Sequence, residues 1–371
     1  MALAGRATAT GTARYAERFA GAAAEGHFRS ALGLTLSSIG CGTYLGDLSD
    51  ATDERYRSAL AEAVKRGCNV LDTAVNYRAQ RSELALGRAV AGLVSDGGLS
   101  REELVIASKG GFIPYRLARP TDAVQYIYDH FIATGVAEPD DLAGGIHCMA
   151  PNFLSQQITW SLRNTGLHAL DLYYIHNPET QLAFVDQATF RNRLQLAFAR
   201  LEEEVAGGRI GCYGVATWEG LRRAPMSAGY VSLESMVRLA AEVAGPDHHF
   251  RAVQFPLSAA LTDCATLRNQ PVADRLLPAL DAAGALGLAV IASASIMQAQ
   301  LTEKLSAALA AAFGGLNTGI QRALQFTRSL PGVTTALVGM RRLEHVRENL
   351  ALIACPPEPV KALRMARSRA R

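Results

Sequence analysis

Asn69-Val70-Leu71-Asp72-Thr73-Ala74-Val75-Asn76-Tyr77 decides the fold. It follows residues 52–66, whose apolar spacing is helical and which stop at Gly67. It opens as a buried strand and then places an acid, and five residues later a phenol, where the apolar run ends. The same alternation extends both ways along the chain. Apolar, strand-like runs lie at 37–45, 69–74, 103–109, 170–176, 210–217, 250–256, 288–295 and 334–340. Helical patterns separate them at 82–93, 156–166, 189–208 and near 231–243, 274–286 and 317–329, with a last one at 343–353. Near-continuous apolar strands suit parallel strands covered on both faces. Roughly eight strand–helix units predict an α/β fold, a single closed (β/α)₈ TIM barrel, over an open doubly wound sheet.

Composition narrows the function. The 371 residues are 49% hydrophobic and 19% charged with a formal net charge of +3, as in a globular protein with a large core. No broad basic field points to nucleic acid, and the arginine-rich end, residues 364–371, reads as a solvated terminus. No run approaches the roughly 20 apolar residues that span a bilayer. Six cysteines without a CxxC pair read as free thiols in a reducing, cytoplasmic setting, and no metal site is read from the spacing. Residues 1–33, rich in Ala, Gly and Arg, read as a flexible N-terminal extension before a barrel spanning 34–371. Residues 110–150 break the rhythm between a strand and its helix and carry Phe112, Tyr115, Tyr126, Tyr128 and Phe131. Two readings stand for this insertion: a lid over the barrel mouth, or a satellite apolar cluster.

In a (β/α)₈ barrel, chemistry gathers at the C-terminal ends of the strands. Asp72 and Tyr77 follow the second strand, Lys109 ends the third and His176 ends the fourth. Each of the four has an ordinary role taken alone: a turn, a packing ring, a solvated charge, a structural imidazole. On consecutive strand ends they form a constellation. A phenol of ordinary pKa near about 10 is a poor proton donor and acceptor at neutrality, and a neighbouring ammonium is expected to lower it. A carboxylate orients that ammonium, and an imidazole holds a substrate oxygen or relays a proton. The set suits acid–base work on a carbonyl or alcohol oxygen, with the electron pair supplied by a cofactor.

With these residues in place, the chain resembles the aldo-keto reductase superfamily over about residues 34 to 354. The motifs are Asp72 and Tyr77 in LDTAVNY, Lys109 in IASKGG and His176 in YYIHNPE. The resemblance implies hydride transfer between NADP or NAD and an aldehyde, ketone or alcohol, with Tyr77 as general acid/base. It implies cofactor contacts at Gly42, Thr43 and Tyr44 of GCGTY, at Asp72, and at Gln254 of VQFP. It extends them to Thr217, to Ser293, Ala294 and Ser295, and to Gly339, Arg341, His345 and Asn349. Tyr44, Phe112, Tyr115 and Trp218 would meet the substrate. Two positions depart from the family pattern: Ala216-Thr217 replaces Ser-Asn, and Ser293 replaces an aromatic that stacks on the nicotinamide. GCGTYL also lacks the third glycine of a Rossmann fingerprint. Arg341 and Arg342 favour NADP over NAD, because a guanidinium forks onto phosphate. Two other functions share the same residues: a cofactor-binding regulatory subunit with little turnover, and a barrel lyase or isomerase. Neither a membrane nor a nucleic acid is an expected partner; a small carbonyl or alcohol is.

Overall fold

The computed structural model describes residues 2–297, 300 and 303–369. In chain order, helix α1 (Ala9–Glu17) and hairpin strands β1 (Phe28–Ala31) and β2 (Leu34–Ser37) precede β3 (Ile39–Gly42) and α2 (Asp50–Lys65). Then come β4 (Val70–Asp72), α3 (Arg81–Ser95), β5 (Val105–Gly110), α4 (Ala123–Ile127) and α5 (Pro151–Thr165). Next are β6 (Leu170–His176), α6 (Gln187–Ala206), β7 (Ile210–Ala216), α7 (Leu233–Ala244) and β8 (Phe250–Pro256). The chain continues through α8 (Asp263–Thr266), a hairpin of β9 (Gln270–Val272) and β10 (Arg275–Leu277), α9 (Ala279–Ala285) and β11 (Ala289–Ser293). It ends with α10 (Glu303–Ala312), α11 (Gly319–Ser329), β12 (Val333–Gly339), α12 (Leu343–Leu350) and α13 (Pro359–Arg369).

Eight parallel strands, β3 to β8 with β11 and β12, close into a barrel, and β12 returns beside β3 with Gly339 opposite Gly42. The (β/α)₈ expectation therefore holds, and all eight apolar runs are its strands. The helix expected from 274 begins at Ala279, because 270–277 is taken by the β9–β10 hairpin. Ser49 caps α2 by accepting from the Thr52 amide, and the buried Ala59, Leu60, Ala63 and Val64 face the barrel. A register shift at Tyr213/Gly214 presses β7 against β8. A Cβ on Gly214 would lie 1.9 Å from the Ala252 carbonyl oxygen, a contact backbone cannot yield to. Gly214→Ala is expected to destabilise the barrel by about 3 kcal/mol or more, read as a fall in the thermal midpoint.

The N-terminal segment is the first correction. It is not a loose extension but the floor of the barrel. Thr8 caps α1, and Tyr15 is buried with its hydroxyl donating to the Val64 carbonyl at 2.5 Å. Arg14 and Arg18 both reach the buried Glu103 carboxylate. The Ala7 amide donates to Asp171 Oδ1 at 2.6 Å, while Arg101 holds Oδ2 at 2.7 Å. Ala7 and Leu36, with Ala31, Leu32 and Leu34 around them, pack on the interior residues Val70, Val105, Leu172, Ile291 and Leu337. A barrel without this floor would leave those side chains open to water from below.

The insertion is the second correction. Its Ile113, Ile127, Phe131, Ala137 and Cys148 form a cluster with Phe153 of α5, flanked by Tyr115, Tyr126 and Trp160. This is the satellite arrangement, packed on α5, with Phe112 at its start reaching the cavity at the barrel mouth. In the C-terminal tail, Arg364 and Arg367 are exposed on α13, whose Ala362, Met365 and Ala366 are buried. The last two tail residues, Ala370 and Arg371, lie outside the described residues. Among the described residues no helix is long and apolar enough to cross a membrane. All six cysteines are unbridged, and four of them are buried.

Candidate active site

At the C-terminal mouth of the barrel lies a cavity of about 600 Å³. The strands that end there deliver the residues singled out above. Asp72, the last residue of β4, is buried, and Lys109, one residue before the end of β5, is fully so. Lys109 Nζ donates to Asp72 Oδ1 at 2.5 Å and to the Thr73 carbonyl at 2.8 Å. The other Asp72 oxygen accepts from Gln254 Nε2 at 2.9 Å, so β8 joins the network. Thr43 closes it by donating to the Asp72 carbonyl at 3.1 Å. The carboxylate thus has a partner on each oxygen, as a buried charge requires.

Tyr77 stands on the loop beyond β4. Its ring is 4.9 Å from Lys109 Nζ, 5.6 Å from the His176 ring and 4.9 Å from the Tyr44 ring, all but the first being centroid separations. Tyr77 lines the cavity with His176, and its hydroxyl makes no hydrogen bond among the described residues. The expected lowering of the phenol does not occur: Tyr77 is held well above the ordinary phenol range by burial first, then by Asp72 and Tyr44. Burial alone disfavours the phenolate, and the Asp72 carboxylate against the Lys109 ammonium adds to it by offsetting the cation's field. Lys109 is itself lowered by burial against the opposing pull of Asp72 and Glu83. His176 is held well below its ordinary value by burial, with Lys109 and His147 adding to it, so it is neutral at physiological pH. Its Nδ1 is buried without a partner, which leaves Nε2 as the nitrogen that reaches the cavity. The site therefore holds a protonated phenol and a neutral imidazole side by side.

The turn that carries Tyr77 is strained. Arg78, Ala79 and Gln80 are three consecutive non-glycine residues in the left-handed region, at φ 48°, 52° and 70°. Such conformations cost of the order of 1 kcal/mol or more each and persist only where side chains enforce them. The buried Arg78 guanidinium does so by donating to Asp53 Oδ1 at 2.6 Å and to the Asp47 carbonyl at 2.9 Å. Gln80 donates to the Tyr115 carbonyl, and the Leu117 amide bonds the Ala79 carbonyl. Arg78→Ala is expected to cost about 3 kcal/mol, the low end for a buried pair because Asp53 keeps Arg81. It is also expected to lower kcat, because the turn that positions Tyr77 loosens; urea unfolding and steady-state kinetics read the two effects.

Most of the other candidates reach the cavity. Gly42, Thr43 and Tyr44 line it from β3, Ala216, Thr217 and Trp218 from β7, and Gln254 from β8. Ser293, Ala294 and Ser295 do so from β11, Gly339 from β12, and Phe112 from the insertion. Tyr115 does not: its ring packs on Tyr126 at 5.4 Å within the satellite cluster, so its place as a substrate contact is withdrawn. Arg341 and Arg342 border a separate cavity of about 490 Å³ between α2 and α12, shared with Glu54, Arg55, Ser58 and Glu344. His345 is exposed on α12, and Asn349 is buried with its Oδ1 unpartnered. Asn76, Asn177, Leu45 and Ile296 also line the mouth and were not anticipated. Neither was Glu179, three residues past His176. Its Oε1 accepts from the backbone amides of Trp218 and Glu219 at 2.7 and 3.0 Å and fixes the loop beyond β7. The proximity of Glu179 to His176 in HNPE is the only trace of that role in the sequence.

Residues 38–239, more than half of the chain, match the Aldo/keto reductase family. The chain is similar to an aldo/keto reductase from Klebsiella pneumoniae in complex with NADP and acetate, at 20% identity and TM-score 0.63 over 93% of this chain and 95% of that one. It is similar to an aldo-keto reductase from Bacillus halodurans in its holo form, at 15% identity and TM-score 0.64 over 92% and 95%. A thermostable aldo-keto reductase in complex with the inhibitor epalrestat gives 20% identity and TM-score 0.61 over 92% and 98%. No curated protein matches the chain. At these identities the structural likeness speaks for the fold.

Proposed function

Because the chain belongs to the aldo/keto reductase family, we propose that it is an NADP(H)-dependent oxidoreductase that interconverts a small aldehyde or ketone and its alcohol. The observation that carries this reading is Tyr77 on the cavity beside a neutral His176, backed by the buried Lys109–Asp72 pair. The cofactor, when bound, supplies hydride at the nicotinamide C4 to the carbonyl carbon. The residues of the chain do the rest. Tyr77 gives its proton to the oxygen as negative charge develops there, and takes it back in the alcohol direction. His176 Nε2 holds that oxygen by a hydrogen bond. Gln254, with Nε2 on Asp72, lines the cavity and offers its amide oxygen as an acceptor for a carboxamide.

The residues present fit a phosphorylated dinucleotide. Arg341 and Arg342 form no ion pair among the described residues and border the α2–α12 cavity with Ser58. The Glu54 carboxylate in the same cavity is already matched by Arg57 and Ser58, which lessens its opposition to a phosphate. The buried, unpartnered Asn349 Oδ1 suits the amino group of an adenine. Ser293 offers no ring for the nicotinamide to stack on, and the half-exposed Trp218 is the aromatic residue of the β7 loop on the cavity. The substrate would meet Tyr44, Phe112 and Trp218, an aromatic rim, in a reducing, cytoplasmic setting consistent with six unbridged thiols.

A panel of aldehydes and ketones assayed with NADPH and NADH in parallel, followed by nicotinamide absorbance, tests the reading. Turnover preferring NADPH is expected. Tight NADPH binding with no turnover across the panel would instead favour a cofactor-binding subunit.

A further inference from the structure

The satellite cluster of residues 110–150 sends one side chain back toward the catalytic centre. His147 is fully buried, and its Nε2 lies 2.8 Å from the backbone carbonyl oxygen of His176. Its Nδ1 lies 2.9 Å from Gln181 Nε2. The Gln181 carbonyl oxygen is taken by Arg193 of α6, whose guanidinium also donates to the Asp140 carbonyl. That bond fixes which way the Gln181 amide faces, so its nitrogen must donate to His147 Nδ1. The proton of the neutral His147 ring is then on Nε2 and is donated to His176. The approach is made possible by Gly111 at φ +132°: a Cβ there would lie 2.7 Å from His147 Nε2 and 3.2 Å from the His176 oxygen. The Phe112 ring stands edge-on to both imidazoles, 5.1 Å from each.

We infer that His147 is a positioning residue for His176 in the reaction proposed above, and that Gln181 selects the ring nitrogen with which it acts. The His176 carbonyl is where β6 leaves the barrel, since Asn177 turns into the left-handed region at φ 48°. Fixing that carbonyl fixes the peptide from which the His176 imidazole projects. The insertion thereby serves the chemistry as a brace from behind. The charged and titratable groups around His147 are His176, Arg193 and, past Cys148, Asp141. Burial first, with Arg193 adding to it and the bond to His176 opposing, holds His147 down to about 4, so it is neutral across the working range.

Gln181→Glu tests the assignment with little change of volume. The new carboxylate keeps Arg193 but accepts a proton from His147 Nδ1, which favours the imidazolium and raises its pKa. At low pH the imidazolium donates at both nitrogens and His176 stays braced. As pH rises through the raised value, the remaining proton stays on Nδ1 and Nε2 turns a lone pair on the His176 carbonyl. The variant is expected to lose kcat with rising pH, by about ten-fold or more at the alkaline end, since small misplacements at a reacting centre cost up to ~10². The wild type should show no such limb, and cofactor affinity should match in both. In protein labelled with ¹⁵N in its histidine rings, His147 of the variant should titrate and the His176 signals should move with it. His147→Gln, whose amide can make both bonds, should keep most of kcat, and His147→Leu should not. A Q181E pH profile that overlays the wild type, or a His147 titration that leaves the His176 signals unmoved, overturns the assignment. If the wild type turns over no carbonyl, the functional reading fails while the histidine spectra still decide this one.

Discussion

Tyr77→Phe is expected to abolish carbonyl reduction, with kcat falling about 10³-fold while NADPH still binds and the protein still melts at its original temperature. The stability expectation follows from the hydroxyl, which makes no hydrogen bond among the described residues and stands on the cavity, so its removal strands no partner there. The catalytic expectation follows from the proton inventory of the mouth. His176 is neutral, the Lys109 ammonium is committed to Asp72 and Thr73, and Tyr77 stands next to both with a hydroxyl proton to give. The wild-type pH profile carries the same information. A phenol held above its ordinary value keeps its proton through neutral and mildly alkaline solution. Reduction in the wild type should therefore show no loss from Tyr77 ionisation until pH exceeds about 10. A limb near neutrality that disappears in Tyr77→Phe would mean that the phenol is depressed after all. Single-turnover absorbance across pH, with circular dichroism melts of both proteins, makes the measurement.

Lys109→Met carries the second large effect, and it falls on stability and activity together. Lys109 is fully buried, and its ammonium is the cation against a buried carboxylate. Removing it leaves Asp72 with Gln254 alone, and breaking a buried pair by deleting one partner costs about 3–5 kcal/mol. Asp72→Asn in the same chain removes the stranded charge and should recover most of that loss. Activity should follow a different course. The ammonium lies over the Tyr77 ring, where it opposes the proton-retaining effect of Asp72 as the phenol begins to lose its proton. With the ammonium gone, kcat should fall about 10²-fold, the scale of losing one preorganised electrostatic group, and the double replacement should not restore it. Denaturant midpoints and kcat for the two single variants and the double variant make the cycle. Parallel recovery of both quantities would show that Lys109 serves the fold alone.

The barrel and its four central residues were legible because they obey local rules. Apolar runs of strand length recur at helical intervals, and each polar residue that ends a run stands where a strand meets its loop. Asp72, Lys109 and His176 are visible on that basis alone. What the sequence did not disclose acts through distance. Glu179 holds amides some 40 positions away, Arg78 grips a carboxylate 25 positions back, and His147 bonds a carbonyl 29 positions ahead. None of these partners leaves a mark at its own position. The N-terminal segment misled for a different reason: alanine and glycine supply little apolar volume, and the anchors Tyr15, Leu34 and Leu36 are too widely spaced to form a pattern. The direction of the Tyr77 shift was hidden for the same reason: the burial that raises the phenol, and the Asp72 charge that adds to it, come from the packed barrel and not from the local sequence.

The floor of the barrel has a consequence for how the chain is made. Arg29, on β1, donates to the carbonyls of Val333 and Arg328, some 300 positions later in the chain. Strand β3 likewise waits for β12 before its free edge is paired. During translation the hairpin therefore has no seat, and its apolar side chains and the open edge of β3 remain exposed until β12 has emerged. Pairings of such sequence separation are slow to form and leave surfaces open to association meanwhile. A chain stopped short of Val333 would keep that edge open and the hairpin without its seat.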